Sequence, residues 1–395
     1  MDSFNRFWYN LPMGTEIERL QDILKDDPSN FQARRELAVL LADNGFNDEA
    51  LANLQYLVKY FPDDADLYYN IGIIYEKLKK QEDAKLAYKQ AISISPQTDF
   101  YYNLGEVLVS LSNWDEAIDA FRTVLMNDPN DGNCYFNLGL CYFNKEENNF
   151  AMDNFQTAVK LNPQDLYAHF YLGMIYQNNG LTNFAIESYR KVLEISPDYS
   201  WAYFNLASIA YKNDNIDEAK ANLLLTVEYN NRDIEAYKLL TKISIKDNDI
   251  ENILTILHTR LEKEPNGDIY YMLSQVYKYI GKEKEYCGSL ESALENHLTL
   301  TYDKVGIKKE LEHFKLNNNM GLNEPNDIEE YSSEEDYEDE TINDYDEEKD
   351  TNEDEYESSD EYENDSQIDS DDYLEEDFDV EDEYNPEEND DEEES

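Results

Sequence analysis

Apolar positions along the first 320 residues keep helical spacing, and the pattern then recurs as a block. The clearest copy is Tyr101-Tyr102-Asn103-Leu104-Gly105. Near-copies read Tyr68-Tyr69-Asn70-Ile71-Gly72, Tyr135-Phe136-Asn137-Leu138-Gly139, Phe170-Tyr171-Leu172-Gly173 and Tyr203-Phe204-Asn205-Leu206-Ala207. Their Gly or Ala positions fall 33, 34, 34 and 34 residues apart. A unit of this period cannot bury its apolar face alone and must stack on copies of itself.

From Phe31 each unit predicts a first helix, a short turn, a second helix and an Asp/Ser/Asn-Pro stop. A small residue sits in the first helix: Ala38, Gly72, Gly105, Gly139, Gly173, Ala207. Twelve residues on comes an alanine (Ala50, Ala84, Ala117, Ala151, Ala185, Ala219), and four further a large apolar residue (Leu54, Tyr88, Phe121, Phe155, Tyr189, Leu223). Glycine inside a helix costs about 1 kcal/mol against alanine, so its recurrence predicts the close approach of another backbone. The alanines predict the crossing of the two helices, and the large residues a filled gap between neighbouring units. Pro62, Pro96, Pro129, Pro163 and Pro197 end each second helix and are expected to start the next.

The pattern fades toward the C-terminus. In 234–266 Thr241 stands at the small position and Ile253 at the alanine, and in 267–300 Tyr286 stands at the alanine. Both read as divergent end units. Residues 301–320 read as a closing amphipathic helix, and 1–30 as an aromatic segment with a capping helix that Thr15 begins.

Charge then divides the chain. The net charge is -57, and residues 321–395 hold 40 of the 89 acidic residues with one lysine, which leaves about -18 on the first 320. That last stretch has too few aliphatic residues to offset chain entropy and is expected to be disordered. A polyanion of this kind repels nucleic acid and anionic membranes and attracts basic partners. No apolar run approaches the ~20 residues of a membrane span. Cys134 and Cys141 lie two helical turns apart, about 10 Å, beyond disulfide reach. Together with a start that lacks a signal-peptide layout, this makes the cytoplasm the expected compartment.

The recurring Leu-Gly, Tyr, Ala, Phe/Tyr and Pro positions resemble the tetratricopeptide repeat. The resemblance covers about 31–300, with units at 31–64, 65–97, 98–131, 132–165, 166–199, 200–233, 234–266 and 267–300. It implies an all-α, right-handed solenoid of stacked helix-turn-helix repeats whose first helices line a concave groove. Counting from the first residue of each unit, places 2, 5, 6, 9, 12 and 13 would face that groove. Place 6 then carries Asn70, Asn103, Asn137 and Asn205, with Tyr171 interrupting. Repeated amides resemble the asparagine ladder of O-GlcNAc transferase's repeats and could hold a peptide backbone, or they could serve local contacts within each unit. Place 5 carries Tyr69, Tyr102, Phe136, Phe170 and Phe204, extended by Phe143 and Trp201, either a ligand-contacting stripe or packing. Lys238, Lys242 and Lys246 share one helical face, as an anion-accepting groove end or a solvated surface. No unit pairs lysine at place 5 with asparagine at place 9, as the clamp for chaperone C-termini requires.

No motif for catalysis, phosphate binding or metal is present, and His169 lies at a packing place. The expectation is a non-enzymatic scaffold, without cofactor or metal, that binds an extended and possibly basic peptide segment of another protein. The alternative is a chaperone or sequestering factor that captures a basic protein with its acidic tail. Self-docking of that tail on the lysines and aromatics is a third use of the same charges, and plain solubilisation a fourth.

Overall fold

The computed structural model describes residues 13–317, all within one compact unit, Met1–Pro325. The expected tail disorder, tail docking and aromatic N-terminal segment lie outside the described residues. Helix α1 (Met13–Asp26) is followed by eight helix pairs. They are α2 (Phe31–Asp43) with α3 (Asn47–Val58), α4 (Ala65–Lys77) with α5 (Gln81–Ile94), α6 (Thr98–Ser110) with α7 (Trp114–Asn127), and α8 (Gly132–Asn144) with α9 (Asn148–Leu161). Then come α10 (Leu166–Asn178) with α11 (Thr182–Ile195), α12 (Ser200–Lys212) with α13 (Ile216–Tyr229), α14 (Ile234–Lys246) with α15 (Ile250–Lys263), and α16 (Gly267–Tyr279) with α17 (Glu283–Glu295). A 3-10 turn at His297–Thr299 leads to α18 (Lys304–Asn317). There is no strand among the described residues. Each helix packs on the next, so the chain is an all-α solenoid of helical repeats.

Two starts differ from expectation. Thr15 lies inside α1, which begins at Met13. The first helices of repeats two to six begin two or three residues after their prolines. Asp or Asn caps set the entry of five of the eight first helices: Asn30, Asp131, Asp165, Asp233 and Asn266 each accept from the backbone N–H three residues on. These caps satisfy amides that a helix leaves unpaired.

The turn inside every repeat is the same. Place 15 adopts a positive φ in all eight: Gly45, Lys79, Ser112, Glu146, Gly180, Asp214, Asn248 and Gly281. The next N–H then bonds a carbonyl five residues back, as Lys80 does to Tyr75 and Asp249 to Ser244. This left-handed stop turns the chain back on itself. It holds equally in the two units whose sequences diverge.

The recurring glycine has a different cause from the one its helix cost suggested. A Cβ on Gly72 would come within 2.5 Å of the Tyr88 ring, on Gly105 within 2.6 Å of Phe121, on Gly139 within 2.6 Å of Phe155, and on Gly173 within 2.6 Å of Tyr189. An aromatic ring of the second helix, not a backbone, lies over the glycine of its own repeat. The large residue therefore fills the seam within the repeat rather than only the gap to its neighbour. Sizes compensate across the seam. Glycine faces Tyr or Phe, while Ala38, Ala207, Thr241 and Ser274 occur with leucines sixteen residues on, at 54, 223, 257 and 290. All four of these leucines are buried. Thr241 is thus one solution to a shared volume rather than a loss of pattern.

Ring hydroxyls are matched as well. Tyr88 donates to Glu76 at 2.7 Å and Tyr189 to Gln177 at 3.2 Å, both at place 12. Where the ring is Phe121 or Phe155, place 12 holds Val109 or Phe143.

Gly105→Ala should therefore destabilise the protein, because overpacking of about 1–3 kcal/mol exceeds the roughly 1 kcal/mol gained in helix propensity. Phe121→Leu alone should destabilise it by leaving a void. Combining the two recreates the Ala38/Leu54 pairing and should recover at least about 1 kcal/mol relative to the sum of the singles. Chemical denaturation of the four proteins measures this, and strict additivity would refute the seam account.

Candidate functional site

Places 2, 5, 6, 9, 12 and 13 follow the spacing of one helical face. On the opposite face the first helices bury residues such as Leu104, Gly105 and Leu108 against the second helices. First helices also touch one another across repeats, α6 with α8 and α14 with α16. Their row is thus the inner side of the stack.

Places 5 and 6 form the seams of this row. Asn103 Nδ2 donates to the Tyr69 hydroxyl at 3.0 Å, and Asn137 Nδ2 to that of Tyr102 at 3.3 Å. The amide of one repeat holds the phenol of the repeat before it, a use beyond the local contact that the sequence suggests. Asn205 makes the local one, to the Trp201 carbonyl at 2.8 Å. Asn70 follows a repeat whose place 5 is Arg35, which pairs with Asp64, and has no hydrogen-bond partner among the described residues. Tyr171 replaces asparagine where the preceding place 5 is Phe136, which offers no hydroxyl, and stacks on Phe155 at 5.2 Å. The amides still have an N–H and a carbonyl oxygen in excess of these bonds.

The place-5 rings are half-buried. Tyr69 stacks on Phe100 at 4.5 Å, Tyr102 meets Phe121 at 5.8 Å, and Phe136 meets Phe155 at 5.7 Å. Phe170 touches Tyr189 at 5.9 Å and Tyr199 at 5.3 Å, and Phe204 packs on the C-terminal core. Of these ring contacts the Tyr69–Phe100 stack joins one repeat to the next, and the others tie a place-5 ring to its own repeat. Fuller exposure comes at place 2, where Tyr167 is 54% and Trp201 53% exposed. Trp201 is legible as an extension of the stripe; Tyr167 is missed, although its equal place in the adjacent repeat marks it. Place 4 is structural: His169 contacts the Pro163 carbonyl at 3.2 Å, and the Tyr203 hydroxyl donates to that of Pro197 at 3.0 Å.

Charge is sorted along the face. Glu76 and Glu106, on adjacent first helices, both have carboxyl groups pushed above the usual range, chiefly by desolvation. Hydrogen bonds from Tyr88 and Tyr102 oppose the rise, and the Glu76 charge adds to it at Glu106. Glu106 is nonetheless solvent-exposed. Burial, with Asp99 next, also raises the Tyr69 phenol. Near the other end, Lys238 pairs with Glu235 at 2.7 Å and lies 5.0 Å from the Tyr302 ring. Lys242 is half-buried and Lys246 exposed, and neither has a carboxylate partner among the described residues.

No three His, Cys, Asp or Glu side chains gather to hold a metal among the described residues, and no described helix is long and apolar enough to cross a membrane. Cys134, Cys141 and Cys287 are free and buried, and burial pushes the first two thiols up to about 12.

Four family models, each for the tetratricopeptide repeat, match at 65–98 and 132–165, 98–131, 151–200 and 180–243. Together they cover 65–243 without a gap, and the chain is a tetratricopeptide-repeat protein over that stretch. Among solved structures, MamA is 25% identical over 42% of this chain and 97% of its own, with a TM-score of 0.40. YrrB, a repeat protein with an unusual peptide-binding site, is 24% identical over 47% and 96%, at 0.42. A tetratricopeptide repeat protein from Parabacteroides merdae ATCC 43184 is 16% identical over 64% and 98%, at 0.45. No curated protein matches the chain.

The raised carboxyl of Glu76 predicts a pH effect. Its folded pKa lies above the unfolded one, so it favours folding when protonated and loses that contribution as pH rises through the folded value. Glu76→Gln keeps an acceptor for Tyr88, as Gln177 does for Tyr189. The variant should be more stable than wild type at pH 7, with the gap closing below about pH 4. Urea denaturation at both pH values checks the sign.

Proposed function

We propose that the protein is a non-enzymatic interaction scaffold whose inner face binds an extended segment of another protein. The observation that carries this reading is the floor made by α8, α10 and α12. Its groove-facing places hold no charged residue before Lys212 at the end of α12, and Tyr167 and Trp201 stand about half exposed upon it. Aromatic surface of this kind is costly to leave in water and marks binding sites. Asn70, with no partner among the described residues, and the spare amide groups of Asn103, Asn137 and Asn205 would bond the ligand backbone. The edges of Tyr69, Tyr102, Phe136, Phe170 and Phe204 would pack on its side chains. Lys238, Lys242 and Lys246 would accept an acidic group. Three free, buried cysteines favour a reducing compartment, in keeping with a cytoplasmic scaffold.

The second reading, capture of a basic protein by the acidic stretch, rests on the 40 acidic residues of 321–395. Salt separates the two, because polyanion capture fades as the Debye length shrinks over tens to hundreds of millimolar salt while aromatic and amide contacts fade little.

Trp201→Ala should weaken partner binding by about 2 kcal/mol, or roughly 30-fold, with folding retained because the ring is largely in solvent. Asn103→Ala with Asn137→Ala should weaken it too, after correction for any loss of stability. Binding that survives both changes and vanishes in about 0.5 M salt would favour the polyanion reading instead.

A further inference from the structure

The inner face changes charge twice along its length. On α4 and α6 its groove-facing places include Asp66, Glu76, Asp99 and Glu106, none with a cationic partner among the described residues. The one lysine there, Lys77, is held on the Ala42 carbonyl at 3.1 Å. The next three first helices form the neutral aromatic floor. On α14 the sign reverses. Glu235 is taken up by Lys238, while Lys242 and Lys246 have no carboxylate partner among the described residues. Beyond them the charges are used internally, since Asp268 accepts from Thr301 and Lys278 pairs with Glu310. Lys242, half-buried, and Lys246, exposed, thus set two positive charges on the inner face of a domain with an excess of acid, which argues for an anionic occupant.

We propose that the occupant is a segment of a partner protein with its own opposed charges. It carries a cationic residue at one end, aromatic or apolar residues in the middle and an acidic residue at the other. The cationic end lies over α4 and α6, and the acidic end over α14. This rests on the groove-binding reading above and adds the ligand's charge order and length. Neighbouring packed helices stand about 8–10 Å apart, so the four steps from α6 to α14 cover about 32–40 Å. An extended chain advances about 3.3–3.6 Å per residue, which places the two charges roughly 10–12 residues apart. The raised carboxyl of Glu76, half-buried and accepting from Tyr88, agrees, since an arriving cation would offset its desolvation.

The test is a charge-reversal cycle on the full-length chain, read by fluorescence anisotropy with labelled synthetic peptides. One peptide carries arginine and glutamate 11 residues apart around a Phe/Leu-rich middle, and a second has glutamine in place of that glutamate. Wild type should prefer the glutamate peptide by about tenfold, in the range of close interfacial charge pairs. Lys242→Glu with Lys246→Glu should abolish this preference, and a third peptide with lysine at that end should restore tight binding to the variant. The acidic stretch 321–395 is common to both proteins, so its influence cancels in the cycle. A preference unchanged by the reversal overturns the proposed charge order. In that case a tenfold or greater loss with Trp201→Ala leaves the groove reading standing, whereas wild-type binding by Trp201→Ala overturns both.

Discussion

The structure depends on one contact, the seating of a large second-helix side chain on the small residue of its own first helix. With a ring at 2.5–2.6 Å from where a Cβ would stand, each glycine-bearing repeat has no room for another atom at this seam. The seam sets how closely the two helices of a repeat approach. That spacing is propagated eight times, because each repeat contacts only its neighbours. Errors at one seam would accumulate along the stack, which gives a physical reason for the paired choice of Gly with Tyr or Phe and of Ala, Ser or Thr with Leu.

Polar satisfaction follows the same logic on a smaller scale. A buried hydroxyl without a partner is costly, so Tyr88 and Tyr189 occur with Glu76 and Gln177, and phenylalanine with apolar neighbours. Between repeats, Asn103 and Asn137 answer the hydroxyls of Tyr69 and Tyr102. The inner face is therefore partly made of groups that already hold the stack together. What it offers to a partner is the remainder: spare amide valences, ring edges, the place-2 aromatics and the sorted charges.

The overall acidity of the chain hides that sorting. A net charge describes the far field and bears on solubility and association, but recognition depends on which charges remain unpaired on one surface. Some lysines of the described part are tied up in ion pairs, such as Lys220 with Asp247 and Asp249. Lys242 and Lys246 matter because they lie on the inner face without a carboxylate partner among the described residues.

Period and helix order were legible in the sequence by itself, since they arise from contacts at a constant chain separation within or between adjacent units. Even the volume compensation at Thr241 and Leu257 can be read there once the sixteen-residue relation is known. The tertiary structure alone decided that a ring, rather than a backbone, covers each of the four repeat glycines, and that Asn70 has no partner among the described residues while Asn103 and Asn137 are engaged. It also decided that Glu76 is desolvated while Lys242 and Lys246 go unpaired among the described residues. These properties depend on which side chains converge from different helices and how much water reaches them, and that is a matter of three-dimensional packing that no single stretch of chain encodes.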